Sequence, residues 1–191
     1  MIGRVAALIL LFTTMASAET HVFGYGAVLG RVITNPVNLG PFQSGPISTL
    51  SPAIAAGADT SIWKVSVDGL VMLAQTGEKD SFVGPSGSIN VVTHGHALTA
   101  DVGAGWPILS IAGFHTLARA GYGTARVRVP TDVPIQDDRS YWTYGLITSR
   151  PVGKRFILRI DVRNLEFRRD QAPQTLGRFN IVVLAGMGLK F

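Results

Sequence analysis

The chain closes on RFNIVVLAGMGLKF, residues 178–191, and the reading of this stretch decides the fold. Phe179, Ile181, Val183, Ala185, Met187, Leu189 and Phe191 form one alternate set, and Asn180, Val182, Leu184, Gly186, Gly188 and Lys190 form the other. A period of two held over this length is a β-strand. A sheet with one face in water would give its second set many charges, whereas this one carries a single lysine. The first set is therefore read as facing lipid.

Working outward, the start of the chain agrees with export. Arg4 stands alone before an apolar run, Val5 to Phe12, and Ala16-Ser17-Ala18 has the small-x-small spacing of a cleavage site. Residues 1–18 are read as a cleaved signal peptide and residues 19–191 as one mature domain. The run is too short to cross ~30 Å of hydrocarbon as a helix, and no later stretch approaches the ~20 apolar residues such a helix needs. A spanning structure must then be a closed barrel, because only closure satisfies every backbone group. The 22 glycines point to β-structure, and the absence of cysteine fits an exported chain without disulfides. The net charge of +5 is dispersed among strands with no nucleic-acid motif. Nucleic acid is thus not an expected partner, and anionic lipid head groups are.

Eight strands are expected. The first, Thr20 to Ile33, sets Phe23, Tyr25, Ala27 and Leu29 against Gly24, Gly26, Val28 and Gly30, with the glycines expected inside, where they would let a small barrel curve. A loop over Thr34 to Thr49 leads to a weaker strand near Leu50 to Asp59, then to a third from Trp63 to Gln75. Thr76 to Gly87 is turn-forming. The fourth strand runs from Ile89 to Gly105 and ends at Trp106-Pro107, since proline cannot donate to a ladder. The fifth covers Ile111 to Arg128, the sixth Tyr141 to Arg150 and the seventh Arg155 to Arg168. Connections are long after odd strands and short after even ones, the asymmetry of a barrel with short periplasmic turns and longer extracellular loops. A soluble secreted barrel would hide its apolar set and show charge. A mean hydropathy of +0.30 and only 15% charged residues oppose that reading.

With Gly121-Tyr122-Gly123, the alternation and the terminal Phe191, the mature chain resembles the small OmpA/OmpX-like barrel domains of the bacterial outer membrane. The resemblance implies an all-β, eight-stranded antiparallel up-and-down transmembrane barrel, present as a monomer in outer-membrane lipid. It further implies that Phe191, Leu189 and Met187 form the assembly signal read by the barrel-assembly machinery, although Met187 stands where the family often has an aromatic residue.

Three sets of residues follow. Asp68, Asp101, Arg119, Arg159, Asp161 and Arg163 fall on the interior parity and are expected to form an ion-pair network in the lumen, which is only wide enough for side chains. Arg31, Arg126, Arg128 and Arg168 share parity with lipid-facing residues at outer strand ends, where they either bind lipopolysaccharide phosphates as a collar or stand as solvated rim residues. Trp63, Trp106, Trp142, Tyr25, Tyr122 and Phe191 fit interfacial girdles. No catalytic residue, metal site or cofactor is assigned. Small barrels that deacylate lipid A carry a His-x-Ser pair on one strand face, which neither Thr93-His94-Gly95-His96 nor His115-Thr116-Leu117 supplies. The expected function is a non-enzymatic envelope protein with a structural, adhesive or surface-interaction role. The alternatives are a lipid A or phospholipid-modifying enzyme and a narrow channel.

Overall fold

The computed structural model describes residues 19–33, 38–39, 42–44, 47–62, 64–76, 78–84, 87–93, 95–129, 135–168, 176 and 178–191. Its strands in chain order are β1 Thr20–Ile33, β2 Asn38–Leu39, β3 Phe42–Ser44, β4 Ile47–Ile62, β5 Val65–Gln75, β6 Glu78–Gly84, β7 Gly87–Thr93, β8 His96–Ile111, β9 Phe114–Val129, β10 Ile135–Val152, β11 Phe156–Phe167 and β12 Phe179–Lys190. Eight of these close an antiparallel barrel in the order β1-β12-β11-β10-β9-β8-β5-β4. The signal-peptide assignment, Trp63 and His94 lie outside the described residues.

The ladder fixes the barrel's dimensions. From Arg163 on β11, hydrogen-bonded partners lead through Gly145, Arg119, Gly105 and Ser66 to Ser61 on β4. In the other direction they lead through Val182 and Leu29 to Ser51 on that same strand. The two ends are ten residues apart, which is the stagger of the closed sheet. With strands ~4.8 Å apart and rising ~3.3 Å per residue, eight strands so staggered tilt by about 40° on a radius of about 8 Å. Such a cylinder is filled by its own side chains.

Polarity is inverted relative to a water-soluble barrel. Ile181, Val183, Met187 and Leu189 on β12 and Leu158, Ile160 and Val162 on β11 are exposed, while Asp161, Arg163, Val182 and Leu184 are buried inside. Short connections follow Ile62, Ile111 and Val152 at one end, where Ala112 (φ 52°) and Gly113 (φ 80°) supply the left-handed pair of a two-residue hairpin. Glu19 and Thr20, where the described residues begin, meet the C-terminal residues there. Phe191 N donates to Thr20 O at 3.0 Å, and Lys190 bonds Glu19.

Three expectations need correction. On β1 the faces are reversed: Phe23, Tyr25 and Leu29 are buried in the lumen, and Gly24 and Gly26 look outward. The room comes from next door, since a Cβ on inward Gly188 would lie 2.4 Å from the Phe23 ring and one on Gly186 would lie 2.6 Å from the Tyr25 ring. Tyr25 is therefore not a girdle residue. Pro107 does not end β8: it still pairs with Leu117, and the ladder shifts register just after it, between Pro107 and Leu109, an irregularity of the kind beside which proline is tolerated. Finally, the segments read as loops after β1 and β5 contain β2, β3 and β6, and Ile89 to Thr93, read as the start of the fourth barrel strand, belongs to β7; β2, β3, β6 and β7 pair in that order as a second, four-stranded sheet at the long-connection end.

Candidate functional site

Inside the barrel, alternation on seven of the eight strands aims ionisable side chains at one another. Arg119 (β9) donates through Nε to both oxygens of Asp68 (β5) at 2.8 and 2.9 Å, through Nη1 to Thr143 at 3.3 Å, and through Nη2 to Asp101 (β8). Arg163 (β11) meets Asp101 at 2.8 Å, Asp68 at 3.0 Å and Asp161 through Nε at 2.9 Å. Arg159 reaches Asp161 at 3.4 Å and Asp59 (β4) at 2.5 Å. His21 Nδ1 lies 2.7 Å from Asp59. Tyr141 donates to Asp101 at 3.2 Å. The structure thus brings all six residues assigned to the lumen into one contiguous chain of contacts.

Asp59, His21 and Tyr141 were missed. Asp59 and His21 face each other across the β1–β4 ladder, so placing the glycines of β1 inside turned His21 outward and left Asp59 without a role. The signal was available: His21 and Arg31, the ionisable residues of β1, share parity with Phe23 and Tyr25. Aromatic rings also serve the network. The Arg159 guanidinium lies 4.6 Å over the Phe23 ring, a cation–π contact in a desolvated place.

The ion-pair network occupies one part of the lumen, and Arg31 is buried apart from it near the long-connection end. Toward the long-connection end the inward residues become Leu29, Met72, Ala74, Ala97, Ala125, Val127, Leu165 and Phe167, all buried. These groups, with buried Arg31, Ser51 and Asn180 beside them, fill the lumen on that side.

The four arginines assigned to a collar divide. Arg31 is a correction: it is 1% exposed, lies inside at the top of β1, and donates to Ser51 at 3.2 Å. It shares the lumenal parity of Leu29, which the reversed face of β1 had concealed. Arg126, Arg128 and Arg168 stand on the outward parity at the long-connection ends of β9 and β11. Arg126 grips Asp138 through Nε and Nη2 at 2.8 and 2.9 Å. Trp106, Trp142, Tyr122 and Phe191 are exposed on the outer wall, as are Leu189 and Met187.

His96 is exposed at the outer end of β8, and Ser110 Oγ lies 3.0 Å from His115 Nδ1 across the exposed 112–113 hairpin, where the two are ladder partners. Among the described residues no three His, Cys, Asp or Glu side chains gather as metal ligands.

No family model matches the chain, and no curated protein matches it. Solved structures do. The chain is similar to the attachment invasion locus protein Ail of Yersinia pestis (TM-score 0.56, 11% identity, covering 91% of this chain and 99% of that one). It is similar to Neisserial surface protein A (TM-score 0.56, 14% identity, 91% and 97%). It is also similar to the N-terminal β-barrel domain of Pseudomonas aeruginosa OprF (TM-score 0.51, 9% identity, 91% and 97%). At such identities the shared property is the fold. This chain is an eight-stranded β-barrel of the outer-membrane type, with lipid-facing apolar side chains outside and ion pairs within.

Proposed function

We propose that this protein is a non-enzymatic surface protein of the bacterial outer membrane, whose barrel is an anchor and whose second sheet is the working part. The carrying observation is that sheet: β2, β3, β6 and β7 come from two separate long connections and pair with each other, giving a platform at the end that faces outside the cell. A platform built on a filled cylinder suits adhesion to a surface. Ail of Yersinia pestis, which has the same fold, was crystallised with sucrose octasulfate, a heparin analogue.

In this reading residues 1–18 direct export, and Phe191, Leu189 and Met187 present the last strand to the barrel-assembly machinery. The mature chain is a monomer in lipid, with Arg126, Arg128 and Arg168 at the level of lipopolysaccharide head groups. A channel is disfavoured by the apolar side chains that fill the outer half of the lumen.

The test uses cells expressing the protein with and without residues 38–44 and 78–93 replaced by short Gly-Ser turns. Adhesion to heparin-coated beads should fall with the replacement while barrel insertion persists. Equal adhesion by both would end the adhesive reading. Shaving of intact cells with protease reports separately whether the platform is outside.

A further inference from the structure

On the outer wall, β8, β9 and β10 form a trough of about 300 Å³ near their long-connection ends, lined by Leu98, Ala100, Thr124, Arg126, Asp138 and Ser140 among others. The ladder explains it. Leu98 pairs with Arg126 and Ala100 with Thr124, while Thr124 pairs with Ser140 and Arg126 with Asp138. Small Ala100, Thr124 and Ser140 therefore lie side by side as a low floor. Below them Tyr122 and Trp142, also ladder partners, stand edge to face with centroids 5.1 Å apart. Above them is the Arg126–Asp138 pair. Within three rungs the wall passes from aromatic rings through hydroxyls to a charged fork.

That sequence of chemistries narrows the ligand. A guanidinium attracts phosphate, and Arg128 stands two residues further out on that face. Asp138 would repel a bare phosphate, so its place beside Arg126 makes sense for a ligand that also brings hydroxyl or amide donors. Exposed aromatic rings at the acyl boundary suit the edge of a sugar ring and the first methylenes of an acyl chain.

We infer that this trough binds the phosphorylated glucosamine headgroup of a lipid A-type glycolipid in the outer leaflet. Its phosphate meets the Arg126 guanidinium, its hydroxyl or amide donors meet Asp138, and its sugar rests over Thr124 and Ser140. The inference depends on the outer-membrane reading above, which places this end of the barrel in the outer leaflet.

The experiment titrates fluorescent lipid A into the full-length mature protein in neutral detergent micelles. Arg126→Ala and Thr124→Trp, which fills the floor from outside, should each weaken binding about tenfold, the loss expected for one charge-assisted contact. Lys154→Ala, an exposed cation at the opposite, short-turn rim, should leave binding unchanged. Lipid A stripped of phosphate should bind weakly, and inorganic phosphate should not compete. Three results would overturn the site: Lys154→Ala matching Arg126→Ala with Thr124→Trp silent, undiminished binding of dephosphorylated lipid A, or displacement by inorganic phosphate alone. The underlying reading fails by a different observation, namely wild-type protein whose gel mobility in detergent does not shift on boiling. Variants that keep that shift are folded, so their loss of binding speaks to the trough alone.

Discussion

Along β11 the inward residues change character partway: Arg159, Asp161 and Arg163 toward the short-turn end, then Leu165 and Phe167 toward the long-connection end. β5 makes the same change from Asp68 to Leu70, Met72 and Ala74, and β9 from Arg119 to Ala125 and Val127. Both halves are filled, but their tolerance of damage differs. An apolar plug loses contacts in proportion to the atoms removed. An ion-pair network fails at once when a member is deleted, because the partners stay charged and buried. The difference teaches that the charged half sets which register is acceptable, since a slip by one residue would turn these groups toward lipid.

The largest effect should come from Arg163→Ala. Its guanidinium touches Asp68, Asp101 and Asp161, and its removal leaves those three buried carboxylates to be shared by Arg119 and Arg159. A loss of about 3–5 kcal/mol is expected, read as a lower denaturant midpoint in detergent micelles. Asp161→Ala should behave in kind, since Arg159 and Arg163 both lean on it. A change under about 1 kcal/mol for either would remove the distinction between the halves.

Next comes Leu29→Ala in the apolar half, where the side chain is 1% exposed. A cavity cost of about 2–4 kcal/mol is expected. Planar-bilayer recording of the variant sharpens the comparison: steady ion conductance in it, absent in the parent, would identify the apolar half as the seal. Tyr141→Phe touches the boundary, because the ring packs with Phe167 while its hydroxyl serves Asp101. Removing that one donor should cost about 1–2 kcal/mol by the same unfolding assay.

How much of this was legible in the sequence follows the chemistry of each strand. β12, β11 and β9 could be read because large apolar residues alternate with charge or glycine, which leaves one assignment of faces. β1 could not: its outward set contains Gly24 and Gly26, and its inward set is aromatic, so bulk alone pointed the wrong way. What decided it was volume on other strands, at Gly186 and Gly188, which no local pattern encodes. That inversion hid Arg31, His21 and Asp59 together. The second sheet was hidden for a related reason, since β2 and β3 are two and three residues long, pair with each other, and join a larger sheet only where β3 meets β6 from a distant connection.

The smallest effect lies at the seam where the barrel closes, outside both halves. Glu19 bonds Lys190, joining the residue before β1 to the end of β12, and that hydrogen bond holds the Glu19 carboxyl below its usual value. Because the folded-state value is the lower one, the contribution is complete above the ordinary carboxylate range. It is lost as pH falls through that range toward the folded value. Both side chains are largely exposed, so screening reduces the pair to at most about 0.5 kcal/mol. Urea midpoints measured on either side of that range should therefore fall slightly more with acid in the parent than in Glu19→Gln. If the two proteins show equal acid sensitivity, the backbone bond from Phe191 N to Thr20 O closes the seam without help from this pair.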